Sequence, residues 1–442
     1  MLKTPEKIRQ LQRKLYQKAK QDKGFRFYSL YDKLYRADIL SHAYALAKAN
    51  KGAPGVDGVS FEAIEEMEGG AEGYCVSIAE ELKGKTYRAM PVRRIYIPKP
   101  DGGKRPIGIL TIKDRTVQTA VKIVIEPIFE ADFQENSYGF RPKRNAHQAM
   151  DEVSRSLREG KTQVIDADIS KYFDTIPHDR LLKLVAKRIV DKNILRLIGM
   201  WLRASVVEEG EDGKKRYKGN TKGTPQGGVV SPLLANIYLN VLDTVWKIKR
   251  VHERLGARLI RYADDCVVLC RGDTERVLRG MKRVLGYLEL TLNEGKTKVV
   301  DARKEGFDFL GFTTAVKKSP RTGKTFPLIT PSKEAIEQIK GEIRALTCRK
   351  NLGLPKEVVV DKLNRVVRGW TGYFYYGHCS KDLSRLKGFL DERVRIYLRR
   401  KHGKKSRGYR AFPYRYLYEN LGLYKIPTTA PWTQTVKASG RR

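Results

Sequence analysis

The sequence lacks several features that would place it in other classes of protein. Its five cysteines include no Cys-x-x-Cys pair, so neither a disulfide framework nor a structural zinc site is indicated. No stretch approaches the roughly 20 apolar residues of a membrane-spanning helix, and the opening residues MLKTPEKIRQLQRK contain no apolar signal core. We therefore expect a soluble, intracellular protein with reduced thiols and no membrane partner.

Acidic residues are also scarce. The 442 residues include 50 Asp and Glu against 88 Lys and Arg, a formal net charge of +38 at pH 7. Such a charge repels itself in a compact chain unless a polyanion lies beside it, so nucleic acid is the expected partner. With 41% hydrophobic residues the chain has enough apolar surface to fold. Its length predicts roughly two to four folding units.

The hydrophobic pattern mixes helices with short strands. Apolar residues recur at helical spacing over 34–47, and helical patterns return over 113–159 with a break at 136–145. Alternation over 90–98 and 104–111 predicts a β-hairpin with a basic tip. The pattern indicates an α+β fold.

The C-terminal part is more basic and more helical. Residues 341–442 contain 24 Lys and Arg against 7 Asp and Glu, a net charge of +17. Apolar residues follow helical spacing from Val359 to Phe374 and again from Leu383 to Leu398. We expect a basic helical domain after the α+β part. Earlier in the chain, residues 68–73 are expected to form a loop.

Two β-rich runs carry aspartates. Leu259-Ile-Arg-Tyr-Ala-Asp-Asp-Cys-Val-Val-Leu269 sets Asp264 and Asp265 between apolar runs, which predicts a tight hairpin turn. Val164-Ile-Asp-Ala-Asp168 is the second run. An Asp-Asp pair between strands is often only a turn, but carboxylates from two elements could hold two metal ions about 4 Å apart for phosphoryl transfer. Hard oxygen ligands of this kind suit Mg²⁺.

A glycine-rich segment lies between these runs. In Lys222-Gly-Thr-Pro-Gln-Gly-Gly-Val-Val-Ser-Pro232 the glycines permit close backbone approach, and Gln226 could reach a base, a sugar or a template group. No Gly-Lys-Ser/Thr ends the segment, so it is not a phosphate-binding P-loop. Taken alone it would be a loop before a helix, with Ser231 as the N-cap and Pro232 in the first turn.

Eight short motifs follow one another along nearly the whole chain. They are Gly52-Ala-Pro-Gly-Val-Asp-Gly58, Ile97-Pro-Lys-Pro-Asp-Gly-Gly-Lys-Arg-Pro106, Ser137-Tyr-Gly-Phe-Arg-Pro142, 168–173, Gly223-Thr-Pro-Gln-Gly227, Tyr262-Ala-Asp-Asp265, Leu292-Asn-Glu-Gly-Lys-Thr-Lys298 and Phe309-Leu-Gly-Phe312. Each is a modest signal, but the ordered set resembles the polymerase domain of reverse transcriptases, and specifically that of bacterial group II intron-encoded proteins.

The resemblance implies an α+β right-hand polymerase with a helical thumb. It implies an N-terminal helical extension in residues 1–50, fingers and palm in 51–325, and a thumb or maturase domain with a basic tail in 326–442.

The resemblance also implies a catalytic metal centre. Asp168, Asp264 and the backbone carbonyl of Ile169 would hold two Mg²⁺ ions, and Asp265 would be the accessory catalytic acid of the same turn. Asp166 shares the strand face of Asp168 but lacks the family's spacing to an aromatic residue, so we expect it to be structural.

Further positions match the family's substrate-binding residues. Phe173 resembles the steric gate that favours dNTPs, although it could be an ordinary core phenylalanine. Lys99 and Arg105 match the positions that hold the triphosphate, although any basic residue in this chain could bind nucleic acid nonspecifically. Gln226 matches the residue that contacts nucleotide and template.

Two more features of the family map onto the region after the Asp-Asp turn. Lys296 or Lys298 resembles the general acid for pyrophosphate, and the sequence leaves both open. The motif 309–312 resembles the grip on the primer terminus, although a plain strand turn would look the same.

Residues 365–376 resemble the maturase motif of the thumb. In Arg-Val-Val-Arg-Gly-Trp-Thr-Gly-Tyr-Phe-Tyr-Tyr, basic and aromatic side chains could meet phosphates and stack on bases. Arg365, Arg368, Trp370 and Tyr373 are the expected RNA-binding residues. Retron and diversity-generating reverse transcriptases usually lack this segment.

The implied function is an RNA-directed DNA polymerase that binds its intron RNA to assist splicing and copies it into cDNA during retrohoming. Its expected partners are intron RNA, an RNA template with a DNA primer, dNTPs and target DNA. We expect it in the bacterial cytoplasm, nucleoid-associated when bound to DNA. With no Cys-x-x-Cys up to residue 442, it resembles the compact IIC class without an endonuclease domain. The alternatives are a splicing maturase with weak polymerase activity and a host-recruited reverse transcriptase without an intron.

Overall fold

The structure, a computed structural model, describes residues 2–98, 103–210 and 214–431. These residues form two compact units, each assembled from separate stretches of the chain. The first unit contains Met1–Ala149, Ala167–Val268 and Asp273–Thr297, and the second contains Met150–Asp166, Leu269–Gly272 and Lys298–Arg442.

The N-terminal part of the chain is mainly helical, as its hydrophobic pattern predicts. Its elements are α1 (Glu6–Gln21), α2 (Tyr31–Leu34), α3 (Ala37–Ala49), α4 (Phe61–Glu66), α5 (Gly70–Lys83), β1 (Val92–Pro98), β2 (Lys104–Ile109), α6 (Ile112–Glu130) and α7 (Ala146–Arg158). Helix α6 packs against α1 and α3. It buries Val117, Val121, Val124 and Ile128 at helical spacing. The hydroxyl of Thr111 caps it by accepting a bond from the Asp114 N–H at 3.1 Å.

The middle of the chain alternates strands and helices. It contains β3 (Gln163–Ala167), α8 (Tyr172–Thr175), α9 (His178–Ala186), α10 (Lys192–Arg203), β4 (Val206–Glu209), β5 (Lys215–Lys218), α11 (Ser231–Ile248), α12 (Val251–Arg254), β6 (Arg258–Tyr262), β7 (Asp265–Cys270) and α13 (Thr274–Tyr287). Strands β6 and β7 are neighbours joined by a two-residue turn, which confirms the predicted hairpin.

The predicted basic hairpin is present in the first unit. Strands β1 and β2 pair antiparallel, with Pro98 opposite Lys104. Strand β1 also pairs in parallel with β4, and β4 pairs antiparallel with β5, so the sheet order is β2-β1-β4-β5. Residues 99–102 at the expected tip, including Lys99, lie outside the described residues.

The second unit combines short strands with helices. Its C-terminal stretch contains β8 (Lys298–Asp301), β9 (Phe307–Phe309), β10 (Phe312–Lys318), β11 (Thr325–Pro331), α14 (Lys333–Leu346), α15 (Lys356–Phe374) and α16 (Ser380–Lys401). Strand β8 pairs antiparallel with β3, and β9 to β11 form a sheet of order β11-β10-β9. Helix α14 packs against α15 and α16.

The core of the second unit comes from the apolar stripes that the sequence predicts. Val359, Leu363, Val367 and Phe374 of α15 are buried. Helix α16 buries the whole predicted set, Leu383, Leu386, Leu390, Val394 and Leu398.

Two local predictions are wrong. Ser231 is not the N-cap of α11 but its first residue, after Val230, and its hydroxyl donates instead to the Pro225 carbonyl at 2.9 Å. The Ser231 hydroxyl is therefore bonded to the preceding loop and does not cap the helix. Residues 68–73 are not simply a loop, because α5 begins at Gly70. Gly69 and Gly70 have φ of 75° and 53°, which lets the chain reverse before Ala71 and the following residues continue as helix.

Within the described ranges, no helix is both long and apolar enough to cross a membrane. The cysteines are present as thiols, as expected.

Candidate active site

Asp264 lies in the tight turn between β6 and β7. The preceding residue, Ala263, has a left-handed backbone with φ of 60°. Asp265 begins β7 with an exposed side chain, whereas Asp264 is half-buried. Asp264 therefore lies in the tight hairpin turn that the Asp-Asp motif predicts.

Asp168 lies immediately after β3, and its backbone is fixed by a second segment. The Asn293 N–H donates to the Asp168 carbonyl at 2.8 Å, and the Ser170 N–H donates to the Thr291 carbonyl at 2.9 Å. These bonds flank the bridge between Ile169 and Leu292. The carbonyl of Ile169 takes no part in that bridge, which leaves it available for the predicted role as a metal ligand.

The first unit brings Asp168 and Asp264 within electrostatic range of each other. Burial is the main cause that raises the pKa of the Asp264 carboxyl, and the like charge of Asp168 raises it further. Arg105 and Arg261 act in the opposite direction. Two half-buried carboxylates that repel each other are the environment in which a bound cation is most favourable.

The candidate ligand atoms at this turn are carboxylate and carbonyl oxygens, which suit Mg²⁺ better than Zn²⁺. In the part of the chain that the structure describes, no group of three or more His, Cys, Asp or Glu side chains is placed to hold a metal ion. Mg²⁺ commonly uses one or two carboxylates and completes its shell with water and substrate phosphates. Asp168, Asp264 and the Ile169 carbonyl match that pattern.

Phe173 and Gln226 line one cavity of about 210 Å³ in the first unit. The Thr224 N–H donates to the Phe173 carbonyl at 2.7 Å, which ties the glycine-rich loop to α8. The Gly108 N–H donates to the Gln226 carbonyl at 2.6 Å. Arg94, Pro106, Gly108 and Lys222 also line this cavity.

Arg105 extends from the hairpin toward the same loop. Its side chain is exposed, and Nε lies 3.5 Å from Oε1 of Gln226. Together with its effect on Asp264, this contact brings Arg105, Gln226 and the Asp-Asp turn into one neighbourhood. The predicted triphosphate partner Lys99 falls outside the described residues.

The two candidate lysines for pyrophosphate are both exposed. The Lys296 N–H donates to the Asn293 carbonyl at 3.2 Å, so its backbone belongs to the turn that binds Asp168. Lys298 begins β8 opposite Asp166 and belongs to the second unit. The choice between them stays open.

A buried charge network behind the Asp-Asp turn was missed by sequence reasoning. Arg261 and Asp243 are 0% and 1% exposed and form an ion pair. Arg261 also donates to Oδ1 of Asn236 at 2.9 Å and to the carbonyl of Ala263 at 2.7 Å. The available signals were an arginine inside an apolar strand pattern and an aspartate inside an apolar helix.

His178 was also missed. It is buried at the start of α9, and its Nε2 lies 2.7 Å from the Gly223 carbonyl at the entrance to the glycine-rich loop. Burial lowers the pKa of this histidine. A single histidine near Pro177 gives no sequence signal of that contact.

The predicted RNA-binding residues of the second unit share α15 but differ in environment. Arg365 and Arg368 are exposed. Arg365 pairs with Asp361, and the Arg368 guanidinium lies 5.2 Å from the centre of the Tyr424 ring.

The two predicted aromatic RNA ligands are more engaged with the protein. Trp370 is half-buried against the helical core, and its indole N–H donates to the Ala335 carbonyl at 3.2 Å. The Tyr373 hydroxyl donates to the Leu310 carbonyl at 2.9 Å, and its ring stacks on Phe312. The predicted primer-grip motif and the maturase motif are therefore in contact, and RNA binding by these residues stays a prediction.

Comparison with known proteins identifies two domains in this chain. The family described as reverse transcriptase (RNA-dependent DNA polymerase) matches residues 97–314. The group II intron, maturase-specific domain matches residues 336–416. The mixed helix and strand structure, with a helical maturase region at its C-terminal side, is consistent with a right-hand polymerase fold.

Three relatives show how far the similarity extends. Protein YkfC of Escherichia coli (strain K12) is 33% identical over 77% of this chain and 96% of that protein. The group II intron-encoded protein LtrA of Lactococcus lactis subsp. cremoris is 30% identical over 75% of this chain and 64% of that protein. An uncharacterized 91 kDa protein in the cob intron of Schizosaccharomyces pombe is 28% identical over 78% of this chain, but the match spans only 50% of that protein. With both domains matched in order, the chain belongs to the group II intron-encoded proteins that combine a reverse transcriptase with a maturase domain.

Proposed function

We propose that this reverse transcriptase works by two-metal nucleotidyl transfer, with Asp168 and Asp264 as the side-chain ligands of two Mg²⁺ ions. The observation that carries the proposal is the pairing of two half-buried carboxylates on rigid backbone, each close enough to act on the other. When bound, the ions would activate the attacking hydroxyl and stabilise the leaving oxygen. The Ile169 carbonyl would be a further ligand, and Asp265 an accessory acid of the same turn.

The protein's own groups would orient the nucleotide. Phe173 and Gln226 form walls of the same cavity, which supports a role for both in holding the dNTP. Arg105, and Lys99 beyond the described residues, would bind the triphosphate because a basic hairpin attracts phosphate groups. Lys296 or Lys298 would protonate the departing pyrophosphate.

We further propose that the second unit contributes binding of intron RNA. Arg365 and Arg368 present exposed guanidinium groups on α15. Trp370 and Tyr373 support that helix face through their bonds to Ala335 and Leu310, and Tyr373 remains partly exposed.

The proposal also covers the biological role of the protein and the limits of its domains. We propose that the chain assists splicing of its intron RNA, copies that RNA from a DNA primer, and acts at a DNA target during retrohoming. The proposed division into residues 1–50, 51–325 and 326–442 is part of the same scheme.

The decisive experiment is primer extension on an RNA template with Mg²⁺. Asp168→Asn and Asp264→Asn should each lower the extension rate by at least about a hundredfold, because each removes charge that balances the transition state. Binding of RNA should stay within about threefold of wild type. Asp179→Asn, which neutralises an exposed carboxylate in the first turn of α9, is the matched control and should extend normally.

Two outcomes would contradict the proposal. Extension by Asp264→Asn within tenfold of wild type would remove the metal-ligand assignment. A wild-type protein that binds intron RNA and promotes splicing but does not extend a primer would favour the splicing cofactor with weak polymerase activity.

A further inference from the structure

Phe140 is an exposed aromatic residue in a strained backbone conformation. Its φ is 56°, in the left-handed region that bulky residues rarely adopt, and 51% of its surface is exposed. A bulky residue in this region is strained, and such strain persists only where the surrounding structure holds it. Phe140 remains half exposed in spite of that strain, so packing alone does not account for its conformation.

The loop around Phe140 is anchored too firmly for this conformation to be accidental. Arg141 is buried and donates through Nη2 to Glu130 at 2.6 Å and through Nη1 to the Ser137 carbonyl at 2.8 Å. The Tyr138 N–H donates to the Arg261 carbonyl at 2.8 Å. Residues on both sides of Phe140 are therefore fixed, and the ring is presented from a rigid base.

The loop also lies directly against the turn that carries Asp264. The Gly139 backbone is so close that a Cβ there would lie 2.8 Å from the carbonyl carbon of Tyr262. Asn236 donates to the Gly139 carbonyl at 2.8 Å, and the same Asn236 accepts from Arg261. Consecutive Cα atoms are about 3.8 Å apart, so the Cα of Phe140 lies about that distance from the Cα of Gly139, which makes this contact.

We propose that Phe140 is a positioning residue that packs its ring against the terminal nucleotide of the primer strand. The inference rests on the proposed metal site, because the reacting 3′-hydroxyl must reach the ions held at Asp264. Aromatic rings stack on bases without sequence preference, as a polymerase requires. Lys143, exposed three residues later, adds a positive charge suited to the backbone phosphates.

The test is Phe140→Gly, a variant that should fold at least as well as wild type. Glycine adopts positive φ without penalty, so the thermal midpoint should match or exceed that of wild type. The dissociation constant for a primer–template duplex should rise about tenfold, the loss expected for one aromatic stacking contact. The KM for dNTP should stay unchanged, and Phe140→Tyr should restore duplex binding.

Lys85→Gly is the matched backbone control. Lys85 is also exposed and has φ of 57°, so glycine there should give a similar gain in thermal midpoint. Its duplex affinity should stay close to that of wild type. Parallel behaviour of the two variants in duplex binding would overturn the proposal, and so would a Phe140→Gly variant that melts well below wild type.

An abasic nucleotide identifies the strand. Placed at the primer 3′ end, it should weaken binding to wild type but have little further effect on binding to Phe140→Gly, because that variant no longer has the ring on which the terminal base would stack. Placed opposite in the template, it should weaken both proteins equally. The reverse pattern would overturn the primer assignment. Extension lost in Asp264→Asn but duplex affinity unchanged in Phe140→Gly would reject this inference and leave the proposed function standing.

Discussion

Arg261 donates from Nη1 to the carbonyl oxygen of Ala263 at 2.7 Å, so a fully buried guanidinium holds the residue that precedes Asp264. The charge of Arg261 is balanced by Asp243, whose carboxylate accepts from both Nε and Nη2. Planar bidentate pairing of this kind fixes orientation as well as charge. The shape of the Asp-Asp turn therefore depends on an ion pair between Arg261 and Asp243, which lie outside the turn.

Removing one member of this ion pair should destabilise the folded protein. Asp243→Ala should lower the free energy of unfolding by about 3–5 kcal/mol, because it leaves a buried guanidinium without its counterion. Denaturant unfolding measures the loss. Asp179→Ala, at an exposed position, is the control and should change stability by less than about 0.5 kcal/mol. A loss below about 1 kcal/mol for Asp243→Ala would mean that the pair does not hold the turn.

Gly227 is expected to tolerate no side chain. Its φ is 105°, and a Cβ there would overlap the Gly108 carbonyl, which lies at the hairpin that carries Arg105. Gly227→Ala should therefore cost at least about 1–3 kcal/mol and displace Gln226, raising the KM for dNTP. Gly280→Ala is the control, since that helical glycine has open space around it. It should stabilise the protein by about 0.5–1 kcal/mol, as measured by denaturant unfolding.

Much of the fold follows from local patterns in the sequence. The hairpin β1–β2, the apolar stripes of α15 and α16, and the turn at Asp264 are set by periodicity and short-range chemistry, and each is where the sequence predicts it. Ser231 shows the limit, because its hydroxyl is taken by a carbonyl that local rules do not identify.

Some residues of the candidate site can be recognised from sequence motifs, and others are brought together only by tertiary packing. Asp168, Asp264 and Gln226 belong to recognisable motifs, whereas Arg261 and Asp243 lie 18 residues apart and meet only through packing of a strand on a helix. Phe140 lies in the motif 137–142, but that motif does not reveal its positive φ, which is a property of the folded backbone. Tertiary contacts of this kind are absent from any single stretch of sequence.

Phe173 should control the choice between ribose and deoxyribose. It is half-buried in the cavity wall, and its ring contacts Tyr172 at a centroid distance of 5.4 Å. Phe173→Ala should raise ribonucleotide incorporation relative to deoxynucleotide by about tenfold or more, because space opens for the 2′-hydroxyl. Phe173→Tyr keeps the ring and should retain the wild-type ratio. Competition between labelled CTP and dCTP measures it, and an unchanged ratio in a folded Phe173→Ala protein would return this residue to a packing role.

His178 should make stability depend on pH. Burial lowers its pKa in the folded protein below the value of about 6.5 expected when unfolded. As pH falls below about 6.5, the unfolded chain therefore binds the proton first, and stability is lost until the folded pKa is passed. Above about 6.5 the contribution is fully present.

Burial of the ring is the cause of this shift, whereas the bond that His178 makes to the Gly223 carbonyl, at the entrance to the loop that carries Gln226, acts in the opposite direction on its pKa. Between pH 7.5 and pH 5.5 we expect wild type to lose more stability, relative to its value at pH 7.5, than His178→Gln, whose side chain does not titrate. Burial also lowers the pKa of His42 and His378, so the variant should keep part of the slope. Urea unfolding at three pH values measures this difference, with His402→Gln at an exposed position as the control. Equal slopes for wild type and His178→Gln would show that the buried ring is not the group that titrates.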